Sequence, residues 1–320
     1  MLGGDAGAGN DPALRRRRQA PTGGEFRVIA CRDGASLRIA FWDPRDAARC
    51  RGTVLLLHGR TEFIEKHFET IWDLLDRGFA VATFDWRGQG LSARPLADRQ
   101  RGHAADFAAY LEDLELFVEL ARARLPGPYA ILAHSFGGHC AVRFLHDHPG
   151  VVTRAVLVAP MLGIHFAPLP LWLVRGLVGF ALFMGWGDRF GPGQGGYSPE
   201  RRRAEADLLT SDRDRLEDEI AACGGNPDLA LGGVTWGWLG AALRSIRRIH
   251  GRGFAEAIEI PVLTVIAGRD RVVDNRLIRA FAARLPRGEV TEIADARHEI
   301  LKERDELRNR FWAAFDRFMG

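Results

Sequence analysis

Two hydrophobic patterns alternate along this chain of 320 residues. Continuous apolar runs lie at Val54 to Leu57, Ala80 to Phe84, Tyr129 to Ala133, Ala155 to Val158 and Val262 to Ile266. Runs without polar alternation suit strands buried on both faces of a parallel sheet. Between them, Phe107, Tyr110, Leu111, Leu114, Phe117, Val118 and Ala121 recur at three- and four-residue spacing and describe one helix face. Ile71, Leu74 and Leu75 do the same more briefly. Ahead of these, Phe26 to Cys31 and the alternating Leu37, Ile39 and Phe41 flank the turn pair Asp33-Gly34, which predicts an antiparallel hairpin. A hairpin followed by alternating strands and helices predicts an α/β fold with a mostly parallel sheet.

The alternation breaks between Gly163 and Gly253. Phe166 to Gly187 is very apolar, Pro199 to Ile220 is crowded with charges of both signs, and Leu229 to Ile249 has helical spacing and carries Trp236 and Trp238. Alternation resumes at Ile258. The expected organisation is therefore a flexible Arg-rich tail over 1–24, a core over 25–162, a mainly helical cap over 163–253 and the rest of the core over 254–320. Pro160, Pro168 and Pro170 interrupt the apolar stretch, and Leu171 to Gly187 contains Arg175 and four glycines, so a bilayer-spanning helix is not expected. An acyl-binding wall and a lipid-touching helix are the two remaining readings of that stretch, and they are compatible.

Composition changes this picture little. Hydrophobic residues make up 47% and charged residues 27%, which excludes disordered, collagen-like and polytopic membrane chains. The net charge of +3 includes the run Arg15 to Arg18, read as part of a solvated tail, with contact to anionic lipid as the rival reading. No basic stripe with interleaved aromatics suggests nucleic acid. Cys31, Cys50, Cys140 and Cys223 form no CxxC pair, so no metal ribbon is expected. Scattered free cysteines and an N-terminus without an apolar h-region suggest a cytoplasmic protein.

Chemistry concentrates at Tyr129-Ala130-Ile131-Leu132-Ala133-His134-Ser135-Phe136-Gly137-Gly138. A buried strand runs into small-x-Ser-x-Gly and then a helix-compatible stretch, the context of a nucleophile elbow. The turn is so tight that the residues two before and two after the serine must be small, and Ala133 and Gly137 are. A serine hydroxyl needs a base. Of ten histidines, His298 follows the short late strand Val290 to Ile293, where a loop would lie at the strand ends. His134 adjoins the serine and is expected to point away. Asp270, directly after the strand Val262 to Ile266, is the candidate to orient the base; Asp274 and Asp295 are its rivals. Ser135, Asp270 and His298 occur in the chain order expected for this chemistry.

Acyl transfer also needs donors for the oxyanion. The backbone N–H of Phe136 should supply one, and that of Arg60, in the loop His58-Gly59-Arg60-Thr61-Glu62, the other. The Arg60 side chain is given no catalytic part. One glycine and no following lysine argue against a nucleotide-phosphate loop there. The segment Asp85-Trp86-Arg87-Gly88-Gln89-Gly90-Leu91-Ser92 is read as a structural turn and implies no nucleotide cofactor.

These segments, with Ala267-Gly268-Arg269-Asp270, Val273-Asp274 and Ala296-Arg297-His298-Glu299, resemble the serine α/β-hydrolase superfamily, in particular its lysophospholipase and monoacylglycerol lipase branch. The resemblance covers residues 25 to 320 and implies a mostly parallel eight-stranded sheet flanked by helices, with the cap as the variable part. Ala133 stands where the pattern more usually has glycine.

The expected activity is carboxylic-ester hydrolysis without metal or organic cofactor, on a monoacyl lipid such as a lysophospholipid or monoacylglycerol. Phe166, Leu169, Trp172, Leu173, Leu177 and Phe180 are the candidates to line an acyl channel. Esterase or thioesterase action on other small acyl compounds, acyl transfer, and a catalytically inactive lipid-binding or scaffold role are the alternatives. The expected partner is a small lipid or ester, with peripheral membrane contact through the cap and no inferable protein partner.

Overall fold

Val54 and Leu56 point to one side of a sheet, Leu55 and Leu57 to the other, and both sides are covered. That double burial is why the strand reads as an unbroken apolar run. The computed structural model describes residues 11–320. Its strands are β1 (Glu25–Ala30), β2 (Ser36–Trp42), β3 (Thr53–Leu57), β4 (Ala80–Phe84), β5 (Tyr129–His134), β6 (Arg154–Val158), β7 (Val262–Ala267) and β8 (Gly288–Ile293). They form one sheet in the order β1-β2-β4-β3-β5-β6-β7-β8. β1 pairs antiparallel with β2, and β2 with β4; every other pairing is parallel. The sheet is the expected eight-stranded α/β arrangement with its leading hairpin. Charged residues on the edge strands β1 and β8 discourage further pairing.

One face is covered by α2 (Phe68–Asp76) and α11 (Asp305–Met319) through Ile71, Leu74, Leu75, Phe311, Trp312 and Phe315. Burying each such side chain stabilises the fold by about 1.5–3 kcal/mol. The other face is covered by α3 (Ala108–Arg124), α4 (Phe136–Asp147) and α10 (Asn275–Ala282), with Tyr110, Leu114, Phe117, Phe136 and Phe281 in the cluster.

The segment between β6 and β7 holds α5 (Leu171–Phe183), α6 (Pro199–Ala204), α7 (Ala206–Leu209), α8 (Arg213–Gly225) and α9 (Trp236–Ile249). Trp238, Ala241, Ala242 and Ile249 of α9 belong to the sheet's own hydrophobic cluster, so this last helix packs as part of the core layer. The charged helices are bolted down by buried ion pairs. Arg202 on α6 meets Glu219 at 2.7 Å and Glu299 at 2.9 Å, and Lys66 meets the same two carboxylates at 2.8 and 2.9 Å. Arg215 on α8 donates to Glu69 through two nitrogens, at 2.9 and 2.7 Å. Among the described residues no helix is long and apolar enough to cross a membrane.

The expected flexible tail needs correction. Residues 1–10 lie outside the described residues, but Pro12–Arg18 forms a helix, α1, capped by Asp11. Arg16 pairs with Asp73 and Asp76 at 2.9 and 2.6 Å, and Arg17 and Arg18 each reach Asp218 at 2.6 Å. The arginine run is therefore a docked helix against α2 and α8. Its acidic partners lie far away in sequence and gave no local signal.

Candidate active site

The junction of β5 and α4 is strained at one residue. Ser135 has φ 50° and ψ −113°, in a region that non-glycine residues seldom occupy. The strain lifts the hydroxyl out of the turn at the sheet's carboxyl rim. Gly137 is obligatory there, because a Cβ would collide with the Leu57 and His58 carbonyl groups. Ala133, two residues before the serine, is fully buried. The small-residue demand read from the sequence therefore has a visible steric cause.

The loop after β8 brings His298 to this hydroxyl, with Nε2 2.8 Å from Ser135 Oγ. On the ring's other side, Nδ1 lies 2.7 Å from Asp270 Oδ2. A carboxylate can only accept, so Nδ1 carries the proton and Nε2 is left to accept from the serine. Asp270 is itself held by the N–H groups of Val272 and Val273, which donate to Oδ1 at 2.8 and 3.0 Å. Burial works to raise the Asp270 pKa, but the His298 partner and the two N–H groups outweigh it, and the carboxyl titrates below its ordinary value. The rivals stand elsewhere. Asp274 caps α10 by accepting from Arg276 N, and Asp295 pairs with Arg269 at the surface.

Phe136 N–H opens α4, and Arg60 N–H lies in the loop after β3. Among the described residues neither has a hydrogen-bond acceptor. The loop's shape is set from behind. Gly59 N–H donates to Glu62, Thr61 N–H donates to Gln89 Oε1 at 2.6 Å, and Thr61 has φ 61°.

Glu62 and His134 contact this candidate site and were given no role from the sequence. His134 does turn away from the serine hydroxyl, but not into idle space. Its Nδ1 is 3.2 Å from Glu62, and its Nε2 is 3.1 Å from the His298 carbonyl oxygen. One imidazole thus ties β5 to both the loop after β3 and the loop after β8. Burial favours its neutral form, yet the Glu62 charge prevails and the His134 pKa is raised. Burial likewise opposes ionised Glu62, but His134, Lys66 and His67 hold its pKa well below the ordinary range. The only available signal was a histidine beside the serine and a glutamate in an otherwise small-residue loop.

The turn after β4 is structural, as expected. Asp85 accepts from the backbone of Ile64 and Leu91, each at 2.9 Å, and Arg87 pairs with Asp113 and Asp33. Among the described residues no group of three or more His, Cys, Asp or Glu is arranged to hold a metal ion.

Ser135 and His298 open into a cavity of about 540 Å³. Met161, Ile164, Val174, Trp236, Trp238 and Leu239 supply much of its apolar wall. Of the six expected acyl-channel residues, Phe166, Leu169 and Leu177 line it and Trp172, Leu173 and Phe180 do not. Val174, Val178 and Ala181 form the buried stripe of α5, with Val174 and Val178 packed against Leu243 of α9. Trp172 and Phe180 lie off that stripe and are 74% and 56% exposed. A helix that is apolar almost all round offers no periodicity from which to read its inner face.

Comparison with known proteins gives the chain a family and a fold. A family model described as serine aminopeptidase, S33 matches residues 48–305. Lysophospholipase L2 of Escherichia coli strain K12 is 32% identical over 302 residues, covering 84% of this chain and 86% of that protein. A probable lysophospholipase L2 of Haemophilus influenzae is 30% identical over 272 residues, covering 84% of each. Among solved structures, a soluble variant of monoglyceride lipase from Saccharomyces cerevisiae in complex with a substrate analog superposes with a TM-score of 0.74 at 21% identity, covering 93% of this chain and 96% of that one. At that identity the likeness speaks for the fold.

Proposed function

The chain belongs to the serine aminopeptidase S33 family, and on that premise we propose that it is a carboxylic-ester hydrolase of monoacyl lipids working through Ser135, His298 and Asp270. His298 Nε2 takes the hydroxyl proton as Ser135 Oγ attacks the ester carbonyl carbon. The oxyanion that forms is held by the Phe136 and Arg60 N–H groups. His298 then gives its proton to the departing alcohol, leaving the acyl group on Ser135. A water, deprotonated by His298, releases the fatty acid and regenerates the serine. Asp270 keeps the imidazole oriented and stabilises its cationic form.

The observation that carries this reading is the hydrogen-bonded chain Ser135–His298–Asp270 at the wall of a largely apolar cavity. Ester cleavage is favoured over release of an N-terminal amino acid by the carboxylates at the cavity wall. Glu62, Glu205, Glu219 and Glu299 are each paired with a cation, leaving none to hold a substrate ammonium. The lysophospholipases and a monoglyceride lipase among its relatives support a lysophospholipid or monoacylglycerol as substrate.

Membrane contact belongs to the same proposal. Leu169 and Leu177 line the cavity and are also 48% and 43% exposed, and Trp172, Phe180 and Phe183 continue that apolar surface outward. A monoacyl lipid leaving a bilayer could follow this surface to Ser135. The protein then works at the periphery of a membrane, at its cytoplasmic face. A panel of lysophospholipids, monoacylglycerols and short p-nitrophenyl esters tests the assignment. The expected result is fatty-acid release from the monoacyl lipids, lost by about 10⁴-fold or more in Ser135→Ala. Turnover of short soluble esters alone would overturn the lipid assignment.

A further inference from the structure

Four arginines line the cavity; Arg271 is solvent-exposed, and two of the other three are neutralised. Arg201 meets Glu205 at 3.0 Å, and Arg202 meets Glu219 and Glu299. Arg60 is different. Its Nη1 donates to the Gly232 carbonyl at 3.0 Å, and its guanidinium lies 5.8 Å from the centre of the Trp238 ring. Among the described residues no carboxylate lies within 4.0 Å of it. A guanidinium carries five N–H donors in a planar fork, and this one has most of them unspent at the cavity that Ser135 also lines. Retaining a cation without a counter-ion in a cavity is costly unless a ligand brings the anion. Burial accordingly draws the Arg60 pKa down to about 10.

We propose that the Arg60 side chain is the binding site for the phosphate of a lysophospholipid headgroup. The proposal rests on the ester-hydrolase reading above and narrows its substrate to lipids whose alcohol part carries a phosphate. Bond geometry supports it. From the Arg60 Cα to the guanidinium carbon, and from an acyl carbonyl carbon through glycerol to phosphorus, the reach is about five to six bonds in each case. One residue can therefore meet both ends of the substrate, its N–H at the developing oxyanion and its fork at the phosphate. Guanidinium–phosphate pairs are charge-assisted and bidentate, so the contact selects as well as attracts. Trp238 packs behind the fork and limits where it can point.

The test compares two substrates in one enzyme. Wild type, Arg60→Gln and Arg60→Lys are assayed on a 1-acyl lysophosphatidylglycerol and on the 1-monoacylglycerol of the same chain, in the same neutral micelles. The readout is the ratio of the two kcat/KM values. Any disturbance of the Arg60 N–H affects both substrates alike and cancels in that ratio. Fluorophosphonate labelling shows that each variant has kept an assembled site. The ratio is expected to fall about tenfold or more in Arg60→Gln, with Arg60→Lys between it and wild type. A ratio within twofold of wild type in Arg60→Gln overturns the proposal. So does inhibition by inorganic phosphate with an unmoved ratio, which would mark a site for the free anion. A wild type that cleaves monoacylglycerol but no lysophospholipid also overturns it, and leaves the ester-hydrolase reading standing. A wild type that cleaves neither lipid brings down that reading first.

Discussion

Two parts of the inserted segment invert the usual rule of burial. α5 is apolar apart from Arg175, yet Leu171, Trp172, Leu177, Phe180 and Phe183 are exposed. α6 and α8 are crowded with charge, yet Arg202, Arg215 and Glu219 are buried. The charged part is anchored, because each of its buried ions meets an opposite charge from the core. The apolar part packs on α9 through one stripe and leaves the rest to its surroundings. The contrast teaches that a segment's composition does not say which side of it is inside. Partners decide, and for the outer face of α5 the partner we propose is lipid.

The largest effect should come from unbolting the anchored part. Arg215→Met leaves Glu69 buried beside weaker partners, Lys302 at 3.9 Å and Arg308 at 3.8 Å. Removing one member of a buried pair costs about 3 kcal/mol or more, read as a lower urea midpoint. Adding Glu69→Gln should recover part of the loss. An Arg215→Met midpoint equal to wild type would show that the ions are ornament and the anchoring lies elsewhere.

A smaller effect is expected on the other side of the comparison. Replacing Trp172, Phe180 and Phe183 together by serine should weaken binding to phospholipid vesicles about tenfold or more, through lost apolar area. The urea midpoint should hardly move, since exposed positions contribute within about 0.5 kcal/mol each. Equal vesicle binding by wild type and variant would remove lipid as the partner of α5.

The finest test is pH. Burial pushes the Glu69 and Glu299 pKa values upward, but the surrounding cations prevail and hold each at about 2 against an ordinary 4.5. A depressed carboxyl pKa gives stability that is complete above pH 4.5 and lost as pH falls toward about 2. The urea midpoint should therefore decline across that window, and less steeply in Glu69→Gln. Identical slopes would mean that Glu69 is not held ionised by the anchor.

The same contrast explains what could be read from the sequence. The strands were legible because Val54 to Leu57 and its counterparts are buried on both faces, and such strands need no partner information to be recognised. Ser135 was legible because its turn imposes small neighbours, and His298 and Asp270 because each follows a strand that ends at the same rim. The inner face of α5 was not legible, since apart from Arg175 every face is apolar. Nor were the docking of Arg16 to Arg18 or the clamp made by Glu62 and His134. Each depends on charges brought together from distant segments, and charged residues read alone look solvated.

The central claim is that an inert hydroxyl is made nucleophilic by the imidazole 2.8 Å away. Reaction of the full chain with a fluorophosphonate, followed by peptide mass spectrometry, measures this most directly. The account predicts one adduct, on Ser135, abolished in Ser135→Ala and slowed by several orders of magnitude in His298→Ala. A folded protein that takes no label, or takes it equally fast without His298, would contradict it.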